Sequence, residues 1–129
     1  MTPTMVLDAS ALLVVLKREP GRDRVVAAIL AGATLGTVNL SEVLAVFARA
    51  GTPSAGLSAD IERLCLTIEP FTAEDASVAA DLIRHTSAAG LSFGDRACLA
   101  LARRLKLPAL TADRSWSDLD LDVAVVMVR

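Results

Sequence analysis

The chain has 129 residues, enough for one domain with a real core and too few for two ordinary ones. Apolar residues make up 53% and aromatic residues 3%, with no Tyr, so the core is built from Ala, Val, Leu and Ile; that much apolar surface in a small chain hints at a further buried face, a dimer or partner contact. A net charge of −2 argues against passive polyelectrolyte binding to nucleic acid.

Met5 to Leu7 reads as a short apolar strand, followed by a helix from Ala9 to Leu16. Glu19-Pro20-Gly21 breaks the chain, and a second helix runs from Asp23 to Ala31, ending at Gly32. Leu35 to Val38 is the second strand. Leu40, Val43, Leu44 and Phe47 share one face of a helix from Leu40 to Ala50, closed by Gly51. Thr52 to Gly56 is a polar turn, Leu57 to Leu66 a helix, and Thr67 to Pro70 the third strand. A single helix covers Ala73 to Ser87, capped by Thr72 and ended by Gly90. Gly94 opens the next, running to about Leu105, and Ala109 to Leu110 and Val123 to Val128 are the last strands. Strands alternating with helices predict a parallel sheet with helices on both faces, as one domain over residues 1–129.

Four acids stand where an apolar run gives way to a helix start: Asp8, Glu42, Asp95 and Asp113. In an open parallel sheet, loops at the carboxyl ends of the strands converge on one crevice, so these side chains are expected to meet. At 4 Å each like-charge pair costs about 4 kcal/mol at an effective dielectric of about 20. Protonation relieves that, and so does a hard divalent cation, whose natural ligands are carboxylate oxygens. Each acid also has a plainer reading. Asp8 serves equally as an N-cap, and Asn39-x-x-Glu42 is close to a capping box. Asp95, after Ser92-Phe93-Gly94, and Asp113, after a strand, have cap and turn readings too.

The segments carrying these acids, "VLDASALL", "VNLSEVL", "LSFGDRACLALA" and "LTADRSW", resemble the PIN domain in order and spacing, and most of all the VapC-type ribonuclease toxins of bacterial toxin–antitoxin pairs. The resemblance runs from about Met5 to the end. It implies a three-layer α/β/α sandwich with a mainly parallel sheet. It also implies an endoribonuclease in which Asp8, Glu42, Asp95 and Asp113 hold Mg²⁺ or Mn²⁺ and hydrolyse phosphodiester bonds by metal-activated water, leaving a 5′-phosphate and a 3′-hydroxyl. An antitoxin partner and a homodimer are implied as well. Ser10 matches the hydroxyl residue two positions after the first acid. Many relatives carry a further acid where this chain has Ser115; Asp118 is a steric substitute, although it reads better as part of a solvated loop with Asp120 and Asp122.

Arg96 and Arg114 follow two of the acids directly and are expected to contact substrate phosphates or balance the carboxylates. Lys17, Arg18, Arg22 and Arg24 read as a solvated edge, or else as an RNA-tracking surface. Trp116 reads as a packing anchor rather than a base-stacking residue, Cys65 and Cys98 as buried free thiols, and His85 as a surface residue. Met1 to Thr4 lacks the features of a signal peptide, and no membrane span is present, so a cytoplasmic protein is expected. Two rivals stand beside the nuclease. A phosphoryl-transfer enzyme or phospho-receiver using Asp8 fits badly, because Ser10 and Arg129 stand where such proteins need an acid and a Lys. The other is a non-catalytic PIN-like scaffold that binds RNA or protein.

Overall fold

Five short apolar runs form one parallel sheet in the computed structural model, which describes residues 2–129; the reading of Met1 as part of a leaderless start lies outside them. The strands are β1 (Met5–Leu7), β2 (Ala33–Gly36), β3 (Thr67–Glu69), β4 (Ala109–Thr111) and β5 (Val125–Met127), in the order β3-β2-β1-β4-β5. Leu7 of the central strand lies opposite Leu35 on one side and Leu110 on the other. Adjacent strand residues face opposite ways, and the two cores follow from that alternation. Leu7, Leu35 and Leu110 point into one apolar cluster, Val6 and Ala109 into the other.

Among the described residues seven helices cover the sheet: α1 (Ala9–Leu16), α2 (Arg22–Gly32), α3 (Thr37–Arg49), α4 (Ser54–Glu62), α5 (Ala73–Asp81), α6 (Ile83–Thr86) and α7 (Phe93–Leu105). The first cluster packs Leu12, Val14, Val25, Val43 and Ile61 from α1 to α4, and the second packs Leu82, Cys98, Leu99, Leu101 and Trp116. Helices on both faces of a parallel sheet make the expected three-layer α/β/α sandwich. Each fully buried Leu contributes on the order of 1.5–3 kcal/mol to holding the layers together. Strand order reverses between β1 and β4, which puts a crevice at their carboxyl ends. This order is not the 2-1-3-4-5 of phospho-receivers, so the receiver form of that rival fails on topology. Among the described residues, no helix is long and apolar enough to cross a membrane.

Several boundaries depart from the sequence reading. The second strand is Ala33–Gly36, not Leu35 to Val38, and α3 starts at Thr37. A Cβ on Gly36 would sit 3.1 Å from Leu101 Cδ2, so the strand end lies hard against α7 where only glycine fits easily. Helix α4 begins directly after Pro53 and ends at Glu62, which leaves Cys65 outside it in a left-handed conformation (φ 58°). Cys65 is therefore exposed, contrary to expectation, while Cys98 is buried; both thiols are free. The single helix read from Ala73 to Ser87 is interrupted at Leu82. The Arg96 guanidinium donates to the Ala79 carbonyl (2.9 Å), the acceptor that Ile83 would use in a continuous helix.

Arg104 ties α7 to α5 through a two-pronged contact with the buried Asp75, Nε to Oδ1 at 3.0 Å and Nη2 to Oδ2 at 3.1 Å. Asp75 also completes a capping box with Thr72. Burial opposes the charge on Asp75, but the Arg104 fork and the Thr72 amide outweigh it and hold the carboxyl below its usual range. Arg104→Ala leaves that carboxylate buried without its partner and is expected to cost about 2–4 kcal/mol at neutral pH. Because the folded pKa is lowered, the pair's contribution is present above about pH 4 and lost as pH falls through the lowered value. Urea melts of both proteins at pH 7 and pH 3 check this, with the gap between them closing at the lower pH.

Candidate active site

Asp8 follows β1 directly and caps α1, its Oδ1 accepting from the Ala11 amide at 2.8 Å. The Ser10 hydroxyl donates to the same carboxylate, lying 2.7 and 2.9 Å from its two oxygens, and the Thr111 hydroxyl donates to Oδ2. Ser10 Oγ also accepts from the Ala112 amide (2.9 Å), and Thr111 Oγ1 accepts from the Asp113 amide (3.0 Å). Two hydroxyls thus stitch the loop after β4 to the loop after β1. The cap reading and the cleft reading of Asp8 both hold. Asp8 is only 2% exposed, and burial pushes its carboxyl up to about 6 despite these hydrogen bonds.

Glu42 lies in the second turn of α3, because the helix starts at Thr37 rather than at Leu40. Asn39 is consequently not a cap. Its buried amide donates to Glu42 Oε1 (2.8 Å) and to the Gly94 carbonyl (3.1 Å), joining α3 to the start of α7. Gly94 accommodates this contact, since a Cβ there would overlap the Glu42 carboxylate. Asp95, one residue on, forms a capping box with Ser92, accepting from its amide at 2.9 Å. Burial raises the Glu42 carboxyl, and the charge of Asp95 adds to it; burial raises Asp95 likewise, with the charge of Asp113 adding. Asp113 caps the turn Arg114–Trp116 and accepts from the amide and hydroxyl of Ser115 at 2.9 and 2.7 Å.

All four acids line one open cleft of about 620 Å³ at the carboxyl ends of β1, β2 and β4, together with Ser10, Ser41, Arg49 and Phe93. Among the described residues none of the four is in an ion pair. Glu42, Asp95 and Asp113 each have one oxygen held by the protein, through Asn39, Ser92 and Ser115. This oxygen-only, uncompensated, anchored donor set suits a hard divalent cation. Among the described residues no three such side chains are arranged to hold one ion between them directly. Mg²⁺ keeps several of its waters and needs only one or two carboxylates, so the residues fit a partly hydrated ion.

The remaining expectations divide. Arg96 lies over the Phe93 ring with its guanidinium on Ala79, and Arg114 donates to the carbonyl of Arg129 at 2.6 Å, so neither lines the cleft. Asp118 sits in a separate hollow with the exposed His85. Trp116 is fully buried, which suits a packing anchor and excludes base stacking. Lys17, Arg18, Arg22 and Arg24 are exposed and do not line the cleft. The sequence reading missed Arg49, Phe93 and the true partner of Asn39. Arg49 was within reach of it, since a residue seven after Glu42 lies two turns along the same helix face. Nothing local marked Phe93.

The PIN domain model matches residues 5–121. No curated protein matches the sequence. Among solved structures, VapBC2 from Rickettsia felis bound to a promoter DNA fragment is similar at a TM-score of 0.75 and 12% identity, over 96% of this chain and 98% of that one. FitAcB from Neisseria gonorrhoeae is similar at 0.70 and 24%, over 95% and 96%. VapC20 from Mycobacterium tuberculosis, a sarcin–ricin loop cleaving toxin, is similar at 0.72 and 18%, over 94% and 99%. At these identities the likeness is one of fold. The family match takes in β1, both faces of the sheet and all four cleft acids, and the chain belongs to the PIN domain family.

Proposed function

We propose that this protein is a divalent-metal-dependent endoribonuclease that acts as the toxin of a toxin–antitoxin pair. The observation that carries the reading is the meeting of Asp8, Glu42, Asp95 and Asp113, drawn from separate segments, on one cleft, none of them in an ion pair among the described residues. Membership of the PIN family and a fold similar to that of a toxin–antitoxin complex from Klebsiella pneumoniae support it. These four acids would hold Mg²⁺ or Mn²⁺, in part through water. When bound, the cation supplies activation of the attacking water and neutralisation of charge at the phosphate.

The protein's own contribution is to fix and desolvate the carboxylates. Ser10, Thr111 and the Ala11 amide lock Asp8; Asn39 orients Glu42; Ser92 holds Asp95 at the mouth of α7. Their anchoring means little reorganisation is needed when a phosphodiester enters. The partners in this reading are RNA, a cognate antitoxin covering the cleft, and a second copy of the chain.

The direct test is cleavage of total RNA by purified, partner-free protein with Mg²⁺ or Mn²⁺, with EDTA, and with Asp95→Asn. Discrete fragments that need metal and vanish in the variant are expected, each carrying a 5′-phosphate. Cleavage that persists in EDTA and in the variant would overturn the mechanism. A second expectation concerns stability. Protons and cation compete for carboxyls raised by burial, so Mg²⁺ is expected to raise the melting temperature at pH 7.5 and hardly at pH 5. Differential scanning fluorimetry at the two pH values measures it.

A further inference from the structure

A cleft walled by four carboxylates repels the polyanion it is meant to cut, so something in it must attract the strand besides the metal. Among the described residues, two lining side chains are of a different kind. Arg49 is the one cation, exposed in the last turn of α3 and in no ion pair. Phe93 is the one aromatic, the first residue of α7, and it is 51% exposed although it is large and apolar.

Phe93 is exposed but not loose. The Phe71 ring meets it edge to face, with centroids 5.4 Å apart and planes at 83°. The Arg96 guanidinium lies 5.9 Å from the ring centre and is itself tied to the Ala79 carbonyl at 2.9 Å. A ring braced by two neighbours loses little further freedom when a flat ligand settles on it. It also stands one residue from Gly94 and two from Asp95, beside the acids. Arg49 lies seven residues after Glu42, about 10 Å along the helix, and is ion-paired with none of the acids, which leaves its guanidinium for a phosphate farther along the cleft. The basic run from Lys17 to Arg24 lies outside the cleft and cannot do this work.

We propose that Phe93 and Arg49 are the two footholds by which this cleft holds its RNA, Phe93 stacking a base next to the scissile phosphate and Arg49 pairing with a phosphate farther along the strand. This rests on the nuclease reading. The base on Phe93 must be unpaired and turned outward, and its identity matters little because every base has a π face. Arg96 then acts as a positioning residue for the ring, which accounts for an arginine beside Asp95 that does not enter the cleft.

The test uses a short single-stranded oligoadenylate carrying 2-aminopurine, whose fluorescence falls on stacking, with Ca²⁺ in place of Mg²⁺. Wild type and Phe93→Trp are expected to quench the probe. Phe93→Leu, which keeps apolar bulk without a π face, is expected to lose the quench and bind about 10–100-fold more weakly. KM for the cleaved RNA should rise by a similar factor while kcat falls far less. Arg49→Gln is expected to weaken binding and lower the salt dependence by about one counterion. Thermal melts confirm that each variant is folded. Quench and KM unchanged in Phe93→Leu, with RNA still cut, would overturn the footholds and leave the nuclease reading standing. A quench that depends on Phe93 with no RNA cut under any metal would overturn the nuclease reading and leave the footholds. A wild type that neither quenches nor binds the probe would overturn the footholds.

Discussion

Asp8→Asn is expected to abolish RNA cleavage and, in metal-free buffer, to make the protein more stable at neutral pH. Asn serves as an N-cap about as well as Asp, so the bond from the Ala11 amide survives the change. What disappears is a buried negative charge. The Asp8 carboxyl is raised by burial from 3.8 to about 6. An acid with a raised folded pKa holds its proton more tightly in the folded state than in the unfolded one. Its ionisation therefore costs nothing below about pH 3.8, costs progressively more as pH rises towards 6, and costs the full amount above. Each tenfold gain in proton affinity on folding corresponds to about 1.4 kcal/mol, which makes the gain in the variant on the order of 1–3 kcal/mol at pH 7. Melting curves of both proteins from pH 4 to 7.5 should coincide at the acid end and diverge above it. Activity should fall on the order of 10³-fold or more, as when other active-site groups are removed. A variant less stable than wild type at pH 7 would make Asp8 a structural acid.

Gly94→Ala is the second large effect, and its damage should fall on the cleft rather than on the fold. The added methyl occupies the space of the Glu42 carboxylate, which must swing away from the Asn39 amide. Glu42 ends in a flexible, partly exposed side chain, so the cost in stability should be no more than about 1–2 kcal/mol. In the proposed mechanism cleavage depends on that carboxylate's position and should fall on the order of 10²-fold. The double variant Gly94→Ala/Glu42→Ala separates the two effects. With the carboxylate gone the methyl fits, so stability should recover while activity stays low, a non-additivity that a double-mutant cycle reads directly. Equal activity in wild type and Gly94→Ala would mean that Glu42 does not act from this position.

Asp75 and Arg104 show how a residue type can be visible in sequence while its role is not. Thr72 was legible as a cap from its place before an acidic first turn. That Asp75 also takes the Arg104 fork depends on α5 packing against α7, a contact across 29 residues. Arg96 shows the same gap from the other side. Standing beside Asp95, it reads as a substrate contact or a balance for the carboxylates, yet helical geometry turns it onto α5, where it donates to the Ala79 carbonyl near that helix's end and braces Phe93.

The order of strands and helices, the layers and the four acids were all legible because they follow from local rules. Apolar runs of a few residues between helix signals make buried parallel strands, and acids on the loops and helix starts at the carboxyl edge of such a sheet share a crevice whatever their separation in the chain, Asp8 and Asp113 just after β1 and β4 and Asp95 at the head of α7. The family motifs could be read for the same reason, being short segments around those acids. What only the tertiary structure decided were the contacts between segments. The start of α3 at Thr37 is set where Gly36 meets α7, and it turns Asn39 from a cap into the link between Glu42 and Gly94. The exposure of Cys65 follows from a left-handed turn that helical periodicity does not foresee. The cleft's Arg49 and Phe93 come from opposite ends of two helices. They share one cleft because of how α3 packs against α7, which spacing within either helix does not encode.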